Sequence, residues 1–206
     1  MKPPTVKSAL NVSYAAVAWS AVLATLSITA GIATSSTALV GTGADVAADL
    51  ASSIVLIWRF RAELGGHPAT TRLEHRAERV AAAALVVVAA GITWSAITRI
   101  LAGEGAAPST LSVTATVTAL VVLPIFAFAK FRVAKAIDSP ALRMDGHISL
   151  VGAAMAAITL LGLVLTTTLN ATWADPAAAI GVAIAALGIG LDSLVLSNRA
   201  ARRREP

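Results

Sequence analysis

Residues 37–58 read TALVGTGADVAADLASSIVLIW, an apolar stretch in which Asp45 and Asp49 are the only charged residues. A helix of this length spans about the thickness of a bilayer's hydrocarbon core. A charge at the bilayer centre costs at least about 2.5–3.5 kcal/mol, so acids inside such a span indicate a functional site. Two carboxylates four residues apart lie on one helical face and repel unless a cation or a shared proton lies between them. We therefore predict an intramembrane cation site at Asp45 and Asp49.

The alternative for this pair is a water-facing position near a helix end. If Arg59 marks one edge of the membrane, Asp49 lies about 15 Å inside it, because a helix rises about 1.5 Å per residue. That depth is close to the midplane of a core about 30 Å thick. The spacing favours the buried position.

The composition indicates a membrane protein. The chain has 206 residues, of which 57% are hydrophobic and only 13% charged, and its mean hydropathy is +0.79. Soluble domains have about 25% charged residues. We predict an all-α fold, a single transmembrane domain over residues 1–206 that leaves no room for a soluble domain. Its six transmembrane helices are expected at about residues 10–34, 38–58, 80–97, 111–129, 148–169 and 176–196.

The positive charges are distributed asymmetrically. Fifteen of the 16 Lys and Arg residues fall at the N-terminus, in loops 2–3 and 4–5 or at the C-terminus, and only Arg99 falls on the other side. This count assigns Lys130 to loop 4–5. The positive-inside rule then places both termini in the cytoplasm of a multi-pass cell-membrane protein. We interpret the basic tail AARRREP as a topology anchor that contacts anionic membrane lipid, and we expect no nucleic-acid partner.

An enzymatic function is a weaker alternative. The pattern Gly41-x3-Asp45-x3-Asp49 matches the second half of the metal-binding motif of the CDP-alcohol phosphotransferases. The acids of the first half are missing, because no charged residue occurs between Lys7 and Asp45. The chain also has no cysteine, so any metal must be held by carboxylate, imidazole, hydroxyl or backbone oxygen. We predict no enzymatic activity and no prosthetic group.

Three segments carry a resemblance to a known family. They are STALVGTGADVAADLASSIVLIWRFRAE, LPIFAFAKFRVAKAIDSPALRMDG and WADPAAAIGVAIAAL. In the second, Ser139-Pro140 is expected to begin a helix that runs into helix 5. With six predicted helices and the helix-2 Asp-x3-Asp pair, the chain resembles the cation diffusion facilitator superfamily, in particular a short branch that lacks the C-terminal cytoplasmic domain.

The resemblance implies a function. Members of this superfamily export zinc and related divalent cations, usually as homodimers that exchange the metal for protons. Such coupling has a simple chemical basis, since metal ligands must be deprotonated and protonation expels the metal. The alternative is a non-transporting membrane protein of the same fold, whose degenerate metal site serves in sensing or assembly.

Helix 5 leaves the ligand set open. The family has His-x3-Asp there, whereas His147 is followed four residues later by Val151. In the short branch, Asp145 takes the corresponding position. Side chains two residues apart diverge by about 200° on a helix, so at most one of Asp145 and His147 faces the site. The predicted metal-binding residues are therefore Asp45 and Asp49, completed by Asp145, which we favour slightly, or by His147.

Overall fold

The structure is a computed structural model that describes residues 5–33, 37–65, 71–102, 110–169 and 173–202. All regular secondary structure in these ranges is α-helix. The six helices are α1 Val6–Ala33, α2 Thr37–Leu64, α3 Thr71–Ala102, α4 Thr110–Ile137, α5 Pro140–Leu169 and α6 Ala174–Arg202. One helix corresponds to each apolar span of the sequence, so the all-α prediction is confirmed.

Within the described residues, five helices are long and apolar enough to cross a membrane. These candidate spans are Val6–Thr29, Leu73–Leu101, Val113–Ile137, Pro140–Leu169 and Pro176–Val195. Helix α2 is not among them, and its sequence carries Asp45 and Asp49 in its central part.

Helix α4 is longer than predicted. It continues through residues 130–137, KFRVAKAI, which contain no glycine or proline and are compatible with helix. The assignment of Lys130 to loop 4–5 is therefore wrong. Lys130 lies inside α4, where it occupies the same buried face as Leu123, Ala127 and Ala134.

The junction between α4 and α5 has well-defined caps. Asp138 follows α4 with a positive φ of 49°, and the Ser139 N–H donates to the Ala134 carbonyl at 3.0 Å, as in a Schellman motif. Ser139 then caps α5, since its Oγ accepts from the Leu142 N–H at 3.2 Å. Pro140 at the first position of α5 confirms the predicted helix start.

The bundle consists of close helix pairs. Helix α1 packs most extensively on α2, α4 on α5 and α3 on α6. Small buried residues such as Ala16 and Ser20 line the inner face of α1, as is common where membrane helices approach closely. Between α3 and α6, a Cβ at Gly190 would lie 2.8 Å from Val86 Cγ2 and 3.1 Å from the Ala82 carbonyl oxygen, so this contact requires glycine.

One end of the bundle carries a network of charged residues on top of an apolar cluster. We call this the end network; it consists of Arg59, Glu63, Glu74 and Ser139. Arg59 on α2 forms ion pairs with Glu74 on α3 and with Glu63, the latter at 3.3 Å. Glu74 Oε1 also accepts from Ser139 Oγ at 2.7 Å and from the Ala141 N–H at 3.0 Å. The network thus joins α2 and α3 to the first turn of α5.

Candidate functional site

A fully buried lysine lies among carboxylates in the interior of the bundle. Lys130 and Asp145 have no exposed side-chain surface, and Asp49 is buried. The Lys130 ammonium lies 3.1 Å from Asp49 Oδ1 and 2.7 Å from Asp145 Oδ2. It also donates to Ser149 Oγ at 2.8 Å. These three contacts match the three N–H donors of an ammonium group.

Serine hydroxyls complete this arrangement. Ser20 Oγ donates to Asp49 Oδ2 at 2.8 Å, and Ser149 Oγ donates to Asp49 Oδ1 at 2.9 Å. Ser53 Oγ lies 3.2 and 3.3 Å from the two oxygens of Asp145 and 3.4 Å from the Lys130 ammonium. We call these residues the internal charge cluster: Ser20, Asp49, Ser53, Lys130, Asp145 and Ser149.

The cluster has two layers along the helix axes. Asp49 and Ser149 form one layer, together with Ser20 from α1. Ser53 and Asp145 form the other, one helical turn away on α2 and α5. The ammonium of Lys130 contacts residues of both layers. Four helices, α1, α2, α4 and α5, therefore contribute residues to the cluster that contains the Lys130 ammonium.

Close packing of α4 against α5 brings the lysine to its partners. Gly146 follows Asp145 on α5, and a Cβ there would lie 2.9–3.3 Å from ring atoms of Phe131, the neighbour of Lys130. The absence of a side chain at Gly146 thus allows the two helices to approach at the level of the cluster. A larger residue would push α4, and with it the ammonium, away from Asp145.

Electrostatics make the three charged groups interdependent. Removing a charge from water costs several kcal/mol in a protein interior, and this is offset only by close opposite charges and hydrogen bonds. Leaving one such partner uncompensated typically costs about 3–5 kcal/mol. Asp49 and Asp145 carry two formal negative charges against one positive charge on Lys130, so the three groups together carry a net negative charge.

The predicted site residues do not all come together. Asp49 and Asp145 share the cluster, as described. Asp45 lies one turn from Asp49 on α2, but its side chain is outside the described part of the structure. His147 lies away from the cluster, with its ring 5.0 Å from that of Phe131 in an edge-to-face arrangement at 72°. The expected divergence of Asp145 and His147 is thus observed.

The donors present suit a cation, although they do not form a cage of strong ligands. Among the side chains that the structure describes, no three His, Cys, Asp or Glu residues converge on one point. The cluster offers carboxylate and hydroxyl oxygens, which are ligands for hard divalent cations and are accepted by zinc. One cation, the Lys130 ammonium, already contacts these oxygens.

Lys130 is not among the predicted site residues, since the charge distribution assigns it to loop 4–5. A signal for its true position was present in the sequence. The spacing Leu123, Ala127, Lys130 and Ala134 repeats the small or apolar positions of a core-facing helical stripe. Continuing that stripe through Lys130 places the lysine inside the bundle.

Comparison with known proteins agrees with the observed architecture. Residues 13–198 match the model of the cation efflux transmembrane domain. The match covers most of the chain and confirms the resemblance to the cation diffusion facilitators. No curated protein matches the chain. The chain therefore belongs to the cation efflux family, whose members are metal cation transporters rather than enzymes.

Proposed function

We propose that this protein exports a divalent metal cation, zinc foremost, in exchange for protons. The cargo binds at an intramembrane site built on Asp45 and Asp49 of α2, with a contribution from the face of α5 that carries Asp145 and Ser149. The protein acts as a homodimer in the cell membrane with both termini in the cytoplasm.

The observation that supports this proposal is the environment of Asp49. Its carboxylate is buried within four helices and accepts hydrogen bonds from Ser20 and Ser149 at 2.8 and 2.9 Å. A carboxylate inside a membrane protein is energetically costly and is generally retained for binding or transport of ions. The hydroxyls that surround it offer further oxygen ligands for a cation.

The charges favour a divalent cargo. If Asp45, Asp49 and Asp145 are ionised and Lys130 is protonated, these residues carry three negative charges against one positive charge. A divalent cation then brings the formal sum to zero. Because carboxylates must lose their protons to bind a metal, loading of the ion and protonation of the site compete. This competition is the minimum needed for exchange of metal against protons.

A second candidate function is a non-transporting membrane protein with a degenerate site used for sensing or assembly. The observation that favours it is Lys130 itself, because an ammonium in contact with both Asp49 and Asp145 reduces the negative charge available to a metal. In this alternative the ion pairs only stabilise the bundle, and no ion crosses the membrane.

Metal flux in proteoliposomes distinguishes the two functions. The purified full-length chain is reconstituted with a zinc-sensitive dye inside the vesicles, and zinc is added outside with and without an imposed pH gradient. We expect zinc entry above that of protein-free vesicles, faster when the lumen is acidic, with proton release in the opposite direction. Manganese and cadmium are tested in the same way. Absence of flux for all three ions would favour the non-transporting function.

Reporter fusions test the proposed topology. A reporter after Arg204 and another within residues 64–71 are expected to report cytoplasm, because nearly all positive charges lie on that side. A reporter near Gly105 is expected to report the outside. A C-terminal reporter on the outside would contradict the proposed placement of both termini in the cytoplasm.

A further inference from the structure

The Lys130 ammonium contacts Asp49, the carboxylate at which the proposed function places the cargo. Its ammonium lies 3.1 Å from Asp49 Oδ1 and donates to Ser149, the hydroxyl that itself bonds to Asp49. Metal and ammonium therefore compete for the same oxygens. A transport cycle through Asp49 requires Lys130 to move or to weaken its contact each time an ion binds.

The geometry points to a specific movement. The ammonium is closer to Asp145, at 2.7 Å, than to Asp49, and Ser53 lies 3.4 Å away in the same layer as Asp145. The lysine side chain has four flexible methylene groups and three rotatable N–H donors. A small shift toward Asp145 and Ser53 keeps the ammonium paired and hydrogen-bonded, and it frees Asp49 and Ser149.

We propose that Lys130 is a resident cation that bridges Asp49 and Asp145 when no cargo is bound and pairs with Asp145 alone when the metal takes Asp49. This inference rests on the proposed function. It assigns Asp145 the role of an alternative acceptor for the lysine rather than that of a direct metal ligand. The site thus alternates between two cations, and Asp49 has a cation beside it at either stage.

Electrostatics explain why such an exchange is favourable. An empty pair of buried carboxylates would repel each other and would be costly to keep ionised. The resident ammonium reduces that cost in the unloaded protein. The ammonium carries a single charge. A divalent ion at Asp49 therefore gains more Coulomb energy than the ammonium loses by moving toward Asp145.

Zinc binding to purified full-length variants tests the role of Lys130. Isothermal titration calorimetry compares the wild type with Lys130→Met, which keeps a long unbranched side chain, one atom shorter, and removes its charge. The matched control is Lys135→Met, an exposed lysine on the same helix. We expect Lys130→Met to lower the Kd for zinc at least tenfold, and Lys135→Met to change it less than twofold. An unchanged or raised Kd in Lys130→Met would overturn the proposal.

A double-mutant cycle separates the two roles of Asp145. Removing the alternative acceptor in Asp145→Asn holds the ammonium on Asp49, so the Kd for zinc is expected to rise at least fivefold. In the Lys130→Met background, Asp145→Asn is expected to change the Kd less than twofold, because no ammonium remains to be accommodated. An equal loss of affinity in both backgrounds would make Asp145 a direct ligand and would reject the transfer.

A spectroscopic measurement on the unmutated chain provides a readout independent of variant folding. The protein is labelled with ¹⁵N-lysine, and the Nζ signal of Lys130 is assigned by its absence in Lys130→Gln or Lys130→Arg. Zinc is expected to shift this signal and to speed exchange of its protons, whereas the Lys135 signal stays unchanged. An Nζ signal that zinc leaves unchanged while zinc binds would contradict the exchange.

These outcomes distinguish failure of the inference from failure of the proposed function. Zinc binding and flux in the wild type, with no effect of Lys130→Met on affinity, would leave the transport function intact and reject the role of Lys130. If neither the wild type nor any variant binds zinc, manganese or cadmium, both the metal site and the exchange are rejected. Size-exclusion profiles and circular dichroism identify variants that remain folded.

Discussion

The internal charge cluster and the end network are both buried groups of ion pairs, but their acids have different partners. In the end network, Glu74 accepts from the Ala141 N–H and from Ser139, so its carboxylate satisfies the first turn of α5. In the internal cluster, the carboxylates of Asp49 and Asp145 contact only an ammonium and serine hydroxyls among the described side chains.

This difference indicates which charges the fold needs. A free N–H group at a helix start must find an acceptor, and Glu74 supplies it. The described hydrogen bonds to Asp49 come from side chains, so its charge is not required by a helix end. The comparison therefore relates the end network to stability, and it supports the proposed ion handling by the internal cluster.

The largest expected effect tests the internal cluster. Asp49→Asn keeps the size and hydrogen-bonding capacity of the side chain and removes its charge, so it should abolish metal flux and metal tolerance in cells. Asp45→Asn should be nearly as harmful, because positions 45 and 49 are one turn apart and share a face of α2. Flux in proteoliposomes and growth on elevated zinc measure these effects.

Asp192→Asn is the matched control for this test, since Asp192 is exposed on α6. It removes the same charge from the protein and should leave flux within about twofold of the wild type. If both helix-2 variants retained metal tolerance at wild-type protein levels, ion handling by the internal cluster would be rejected.

The next effect tests the end network. Glu74→Ala removes the partner of Arg59 and the acceptor at the start of α5, so we expect the free energy of unfolding to fall by about 2–4 kcal/mol. Denaturant titration in detergent measures the change. Flux per folded molecule should remain near that of the wild type, because no residue of the internal cluster contacts Glu74.

Glu63→Ala provides the comparison within the same network. Glu63 pairs only with Arg59 among the described contacts and is more exposed than Glu74. We expect a loss of less than about 1 kcal/mol. If folded Glu74→Ala lost flux without losing stability, the assignment of stability to the end network would be rejected.

The smallest expected effect concerns Asp138, in the turn between α4 and α5. Asp138 has a positive φ of 49° after the last turn of α4, a conformation that glycine adopts at little cost. Asp138→Gly should therefore raise the free energy of unfolding by up to about 1 kcal/mol, without altering flux. In contrast, Asp192→Gly inside α6 should lower it by about 0.3 kcal/mol, because aspartate is itself among the weaker helix formers. Parallel denaturant titrations would show the opposite signs.

The helices could be predicted from the sequence because each coincides with a long apolar span. The start of α5 could be predicted as well, since Ser139-Pro140 combines a capping hydroxyl with a proline that fits the first turn. The predicted end of α4 is too early, since the charged residues that follow residue 129 are typical of a loop. In a bundle interior, a lysine can continue the helix when carboxylates from its neighbours reach it.

The site could be predicted only in part. The spacing of Asp145 and His147 was sufficient to show that they diverge, but it did not indicate which of them turns inward. That outcome depends on the packing of α4, whose Phe131 lies beside both Gly146 and His147. The approach of Lys130 to Asp49 joins residues 81 positions apart in the chain. A contact between residues so far apart in the chain produces no periodic pattern in the sequence of either helix.

In the proposed exchange, the covalent tether of Lys130 sets a threshold for the ions that can replace it in the internal charge cluster. A tethered group has an effective concentration of about millimolar or more at its partner, whatever the ionic composition outside. A free monovalent ion carries no more charge than the ammonium and lacks this advantage of proximity, so abundant potassium or sodium gains little by replacing it. Only an ion of higher charge density can outcompete the tethered group at trace concentrations. Selectivity against the common salts of the cell thus follows from the chain itself.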